Sequence, residues 1–142
     1  MLAVARLPDG ARELIESGAL AHLVTLNWDG SPQVSCVWIG IDGDELVGGH
    51  LPEHQKIRNI RRDPRVSVSF EGTHVRPPGL KEYLVIHGTA RVTEGGAPEL
   101  LQRLAHVYLG PDVVFPPMTD PPPGYITHIT IDRIAGVGPW SD

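Results

Sequence analysis

The chain has 142 residues, with 12 Lys and Arg against 17 Asp and Glu, a formal net charge of −5 and one cysteine. The length suits a single domain over residues 1–142 with a real core, and the acidic balance argues against a general nucleic-acid binder, which needs a positive field to displace counterions. Cys36 alone rules out an internal disulfide framework, and no signal-like segment or apolar run near the ~18 residues of a membrane span is present, so a soluble cytoplasmic protein is expected.

Residues 9–18, DGARELIESG, predict an amphipathic helix with Leu14 and Ile15 inward and Gly18 as its C-cap. Strands follow at 21–27 and 33–41, joined by the hairpin signal Asp29-Gly30, and Asp42-Gly43-Asp44 turns the chain into a third strand at 45–49. Within HQKIRNIRRDPRVSVSFEG, residues 54–72, a short basic helix precedes a strand. Lys56 and Asn59 share one helix face, while Ile57 and Ile60 share the apolar face that must be buried. Arg58, Arg61 and Arg62 sit toward the C-terminal end, where cations also complement the helix dipole. Asp63 before Pro64 is biased out of the α region, so the helix ends near Arg62. The spacing fits a held anion and a solvated basic face equally well.

A fourth strand over 66–71 alternates cleanly, a polar loop is expected at 73–79, and a long strand runs over 82–93. Leu100, Leu101, Leu104 and Val107 recur at helical intervals over 98–108. Residues 110–124 hold Pro121-Pro122-Pro123 and read as a long functional loop. The last strand covers 125–134, after which Gly136, Gly138 and Pro139 turn the chain into Trp140. Six or so antiparallel strands with two to three helices indicate a mainly β fold, a small antiparallel β-barrel with flanking helices.

No GxGxxG or GxxxxGK[ST] is present, and the seven histidines show no metal-ligand spacing, so neither a nucleotide fingerprint nor a metal site is expected. Trp28 and Trp38 read as core or hairpin-packing residues, Cys36 as a small buried residue, and His87 and His128 as hydrogen-bonded barrel residues. Trp140 is not expected in the core of its own subunit.

Taken together, TLNWDGSPQVSCVWIGIDGDEL, HQKIRNIRRDPRVSVSF, YLVIHGTARVT and GYITHITIDRIAGVGPW resemble the split β-barrel flavin and deazaflavin oxidoreductases related to pyridoxamine 5′-phosphate oxidase, and most of all their F420-dependent branch. The resemblance implies a split β-barrel and a homodimer with cofactor pockets at the subunit interface. It also implies F420, or alternatively flavin mononucleotide (FMN), as the cofactor, and hydride transfer to an activated double bond of a small organic substrate. In such relatives the strand matched by Ser35, Cys36, Val37 and Trp38 lines the tricyclic ring, and the lysine matched by Lys56 grips the phosphate.

His54 stands where an arginine is common, and Gln55 where FMN relatives carry a second basic residue. The grip therefore rests on Lys56, with His50, His54 and Asn59 as helpers. Tyr83 either reaches across the dimer toward the cofactor or is a sheet-face tyrosine, and Trp140 is a candidate for the dimer or cofactor interface. F420 carries a phosphodiester and a glutamate tail, which match Lys56, Arg58, Arg61 and Arg62 in sign. No dedicated proton donor is required, so no catalytic residue is expected. Two other readings are an FMN enzyme of the same fold and a non-catalytic cofactor- or tetrapyrrole-binding protein. The loops at 73–79 and 110–124 are expected to shape the pocket.

Overall fold

Residues 6–141 are described in the computed structural model of the protein; the first five residues and residue 142 of the expected 1–142 domain lie outside the described residues. The elements are α1 (Asp9–Glu16), β1 (Ala21–Leu26), β2 (Pro32–Val37), β3 (Gly40–Asp42), β4 (Glu45–His50), α2 (Gln55–Arg62), β5 (Arg65–Arg76), β6 (Leu80–Glu94), α3 (Ala97–Tyr108) and β7 (Tyr125–Val137). The seven strands form one antiparallel sheet in the order β2-β1-β5-β6-β7-β4-β3.

The two edge strands of this sheet, β2 and β3, are consecutive in the chain and separated only by Trp38 and Ile39. A sheet whose opposite edges are joined by two residues must curl round on itself, and this produces the split barrel. Its interior is filled by side chains in strict alternation. Val66, Val68 and Phe70 of β5, Leu84 and Ile86 of β6, and Ile129 and Ile131 of β7 are all buried in one cluster with Leu23 of β1. Each such side chain contributes roughly 1.5–3 kcal/mol on burial, and Phe70→Ala would cost about 3–5 kcal/mol.

Helix α2 begins and ends close to where the sequence places it. Ile57 and Ile60 are buried, and Asp63 has left the helical region at φ −137° and ψ 109°. The expected strand over 33–41 is instead two strands, because the chain changes partner at Trp38 and Ile39, from β1 to β4. At that corner the Ile39 N–H donates to the Tyr108 hydroxyl at 3.1 Å rather than to a strand.

The expected loop at 73–79 is mostly the tip of the β5–β6 hairpin. After a register shift between Glu71 and Val75, Val75 pairs with Lys81 and Arg76 with Leu80. Its polar composition hid the strand, yet the tip is tied by ion pairs from Lys81 to Glu71 at 2.7 Å and from Arg76 to Glu82 at 3.2 Å. The last strand also runs beyond 134. Gly136, expected to turn the chain, pairs with Leu84 at φ 109°, and an added Cβ would lie 2.2 Å from the Tyr83 carbonyl oxygen, so only glycine fits there. Among the described residues no helix is long and apolar enough to cross a membrane.

Candidate functional site

The corner between β2 and β3, the end of β4, the start of α2 and one side of α3 enclose a cavity of about 330 Å³, within the ~300–1,000 Å³ typical of small-molecule sites. Cys36, Val37 and Trp38 line it from the corner, Gly49 and His50 from β4, and Leu51, Pro52, His54 and Lys56 from the approach to α2 and its first turn. Leu20, Leu101 and Phe115 complete an apolar end. Val37 and Trp38 can both face it although adjacent in sequence, because β2 ends at Val37 and alternation lapses there. Gly49 leaves room for Leu101, whose Cγ would meet an added Cβ tightly, at 3.0 Å.

Among the described residues no carboxylate lines this cavity. Lys56 is half-buried and makes no ion pair among the described residues; its Nζ donates to Ser35 Oγ on β2 at 3.3 Å. Burial holds its pKa below the ordinary lysine value. His50 is buried, and its Nε2 lies 3.3 Å from Thr127 Oγ1, which itself donates to the Gly48 carbonyl at 3.3 Å. Burial, helped by the charges of Lys56 and His54, pushes the pKa of His50 down to about 3, so this imidazole is neutral. Partial burial and Lys56 also lower the pKa of His54, whose ring stands edge-on to His50 at 6.3 Å.

The rest of the basic helix is committed to the protein itself. Arg58 donates to the Glu53 carbonyl and to Gln55 Oε1, at 3.0 and 2.8 Å. Arg61 pairs with Glu53 at 3.3 Å and Glu94 at 3.7 Å, and its guanidinium lies 5.3 Å from the centre of the Tyr125 ring. Arg62 donates to the Leu26 carbonyl and to Asn59 Oδ1.

Asn59, fully buried, donates to Thr25 Oγ1 and Asn27 Oδ1 and accepts from Gln55 and Arg62, which uses its whole hydrogen-bonding capacity. Asn59, Gln55 and Arg61, named from the sequence, are thus not brought to the cavity. Of the cations on α2, Lys56 alone lines it.

Tyr83 and Trp140 meet each other elsewhere, Trp140 Nε1 donating to the Tyr83 carbonyl at 3.0 Å. Tyr83 is 45% exposed, and Trp140 is partly buried, not itself a core residue, its ring folding back over Gly138 against the edge of the core. Two further expectations fail. Cys36 is exposed and lines the cavity rather than being buried, and Trp28 is 80% exposed at the β1–β2 turn. His87 and His128 are hydrogen-bonded as expected, to Ser67 and Thr93.

Sequence reasoning missed Leu20, Gly49, Leu51, Pro52, Leu101 and Phe115. Leu101 was legible only as a core position of α3, and Phe115 sits in an aperiodic segment, where its one signal was being the single aromatic of the 110–124 loop. Trp38 is fixed by aromatic neighbours, stacked on Tyr108 at 5.6 Å and edge-on to Phe115 at 5.1 Å. Among the described residues no group of His, Cys, Asp and Glu is placed to hold a metal ion.

The sequence profile of the family described as pyridoxamine 5′-phosphate oxidase matches residues 7–138. No curated protein matches the chain. Among solved structures, a protein named F420 reductase is 28% identical, over 91% of this chain and 98% of that one, with a TM-score of 0.70. HupZ of Group A Streptococcus is 20% identical over 96% and 98% of the two chains, with a TM-score of 0.65. An FMN-binding protein from Syntrophomonas wolfei is 12% identical over 90% and 84%, with a TM-score of 0.67. The last two likenesses establish the fold alone.

Proposed function

The chain belongs to the pyridoxamine 5′-phosphate oxidase family, and from that premise we propose that it is an F420H2-dependent reductase acting on an activated double bond of a small organic molecule. The observation that carries this reading is Lys56, a half-buried ammonium that among the described residues has no carboxylate partner and lines a cavity with no acidic side chain. Such a group is stabilised by an anionic ligand, and a phosphate beside it would raise its pKa back toward the ordinary value. The likeness to a protein named F420 reductase points the same way.

The residues of the cavity fit a phosphate-bearing tricyclic cofactor. Lys56 would hold the phosphate, supported by the Ser35 hydroxyl, which touches its Nζ without lining the cavity, and the backbone and side chains of Cys36, Val37 and Trp38 would border the ring. When bound, F420H2 supplies the hydride, and the protein's part is orientation and exclusion of water. Leu20, Val37 and Leu101 present apolar surface that would keep water from the ring. His50 is held neutral, so it would add no cationic charge to the grip of Lys56 on the phosphate.

A second copy of the chain is proposed to complete the pocket. Edge strand β2 borders the cavity and exposes Val34 at 62%, and within one chain Tyr83 and Trp140 lie away from Lys56.

The test is oxidation of F420H2 by the purified protein with a quinone such as menadione, followed by the return of F420's visible absorbance. Turnover with F420H2 and none with reduced FMN is the expected result. Turnover with reduced FMN alone would assign the protein to the FMN enzymes, and tight F420 binding without turnover on any activated alkene or quinone would make it a cofactor-binding protein.

A further inference from the structure

The apolar end of the cavity is closed by a side chain that the barrel does not provide. Phe115 comes from residues 110–124, the long connection between α3 and β7, and it meets Trp38 edge-on at 5.1 Å while Trp38 stacks on Tyr108. Around it this connection is mostly exposed, with Val114 75% exposed and every residue from Pro117 to Asp120 exposed. Its position depends on Gln102 of α3. Gln102 Nε2 donates to the Val113 carbonyl at 2.8 Å, and Gln102 Oε1 accepts the Phe115 N–H at 3.0 Å. Among the described residues, Gln102 is the one side chain hydrogen-bonded to residues 111–120. Leu101 lines the cavity while its neighbour Gln102 grips the loop, so one turn of α3 sets both the floor and the wall.

We propose that Phe115 is the specificity-determining wall for the organic substrate, that Gln102 is its positioning residue, and that the class selected is a planar conjugated acceptor such as a quinone. This rests on the reading that the Lys56 end of the same cavity holds the cofactor phosphate. Hydride transfer needs the two reacting atoms about 3–3.5 Å apart, so the acceptor must lie flat against the cofactor ring. The surface behind it is then aromatic, and aromatic pairs favour stacked or edge-on contact with a flat π-system. A saturated or bulky acceptor gains less from this wall. The balanced reaction is F420H2 plus quinone giving F420 plus hydroquinone, the hydride coming from the cofactor and the accompanying proton exchanging through water.

Equilibrium dialysis of menadione and of cyclohexenone against the F420-loaded protein separates the possibilities without relying on turnover. Phe115→Ala and Gln102→Leu should each weaken menadione binding at least tenfold. They should leave cyclohexenone within about twofold and weaken F420 less than menadione, and Phe115→Tyr should restore menadione binding. Phe115→Ala truncates one side chain of a mostly exposed connection, so the variant should stay folded with only a small drop in thermal midpoint, which keeps the test independent of any folding defect in Gln102→Leu. Unchanged menadione binding in Phe115→Ala would overturn the proposal, as would an equal loss for menadione and cyclohexenone, or a loss of F420 binding as large as that of menadione. If F420 does not bind the wild type, the cofactor reading fails by itself. The same dialysis on the cofactor-free protein then decides Phe115, a tenfold loss of menadione supporting an aromatic-selective wall and no loss removing it.

Discussion

The Tyr108 hydroxyl accepts the backbone N–H of Ile39 at 3.1 Å, at the point where the chain leaves one edge of the sheet for the other. The same hydroxyl donates to the Ala19 carbonyl at 3.0 Å, with the Ile39 carbonyl 3.3 Å away. A side chain at the end of α3 thus takes over hydrogen bonds that a continuous ladder would have made, and burial raises its phenolic pKa. The corner it secures carries Trp38, a wall of the cavity.

Tyr108→Phe keeps the ring stacked on Trp38 but leaves the Ile39 N–H and the Ala19 carbonyl without this partner. The expected cost is about 1–3 kcal/mol, read as a lower midpoint in urea unfolding with an unchanged slope. A midpoint equal to the wild type's would show that water replaces the hydroxyl without loss.

Asn59 was a candidate phosphate ligand on spacing, and its burial instead makes it a structural clasp between α2 and β1. Asn59→Ala should destabilise the fold by about 1–3 kcal/mol, since Thr25 Oγ1 is left buried with one partner fewer, while the F420 dissociation constant of the folded protein stays within twofold. A tenfold weaker constant with an unchanged unfolding midpoint would return Asn59 to the binding site.

Helix α2, the period-two strands and the Asp29-Gly30 hairpin were legible because each is dictated locally, by spacing, a proline stop or a turn residue. Lys56, Val37 and Trp38, named through the family pattern, line one cavity. What the sequence hid depends on contacts distant along the chain. The partner change at Ile39 is enforced by Tyr108, 69 residues away, and periodicity carries no trace of it. Arg58, Arg61 and Arg62 looked like an anion-binding cluster, yet Glu53, Gln55, Glu94 and Leu26 occupy them. Which cations are free is a property of the fold, whereas their spacing is a property of the chain.

The buried His50 makes acid stability predictable. Its pKa falls from 6.5 in the unfolded chain to about 3 in the folded protein. Below the unfolded value the unfolded state therefore binds a proton that the folded state refuses, and stability falls with pH across the window from about 6.5 to about 3. By linkage the loss reaches roughly 2 kcal/mol near pH 5 relative to neutral. Thermal midpoints measured from neutral pH downward should fall less steeply in His50→Gln than in the wild type. Parallel curves would place the acid sensitivity in another group.

The decisive measurement is the dissociation constant of F420 for the wild-type protein and for Lys56→Ala, obtained by fluorescence titration of cofactor-stripped protein with FMN titrated alongside. A charge-assisted hydrogen bond to phosphate is worth about 1.5–3 kcal/mol, which is roughly ten- to a hundredfold in affinity. Micromolar or tighter F420 binding, weak FMN binding and a loss of that size in the folded Lys56→Ala variant are expected. An F420 constant that does not change on removing Lys56, or no F420 binding by the wild type, would contradict a cofactor phosphate held at this cavity.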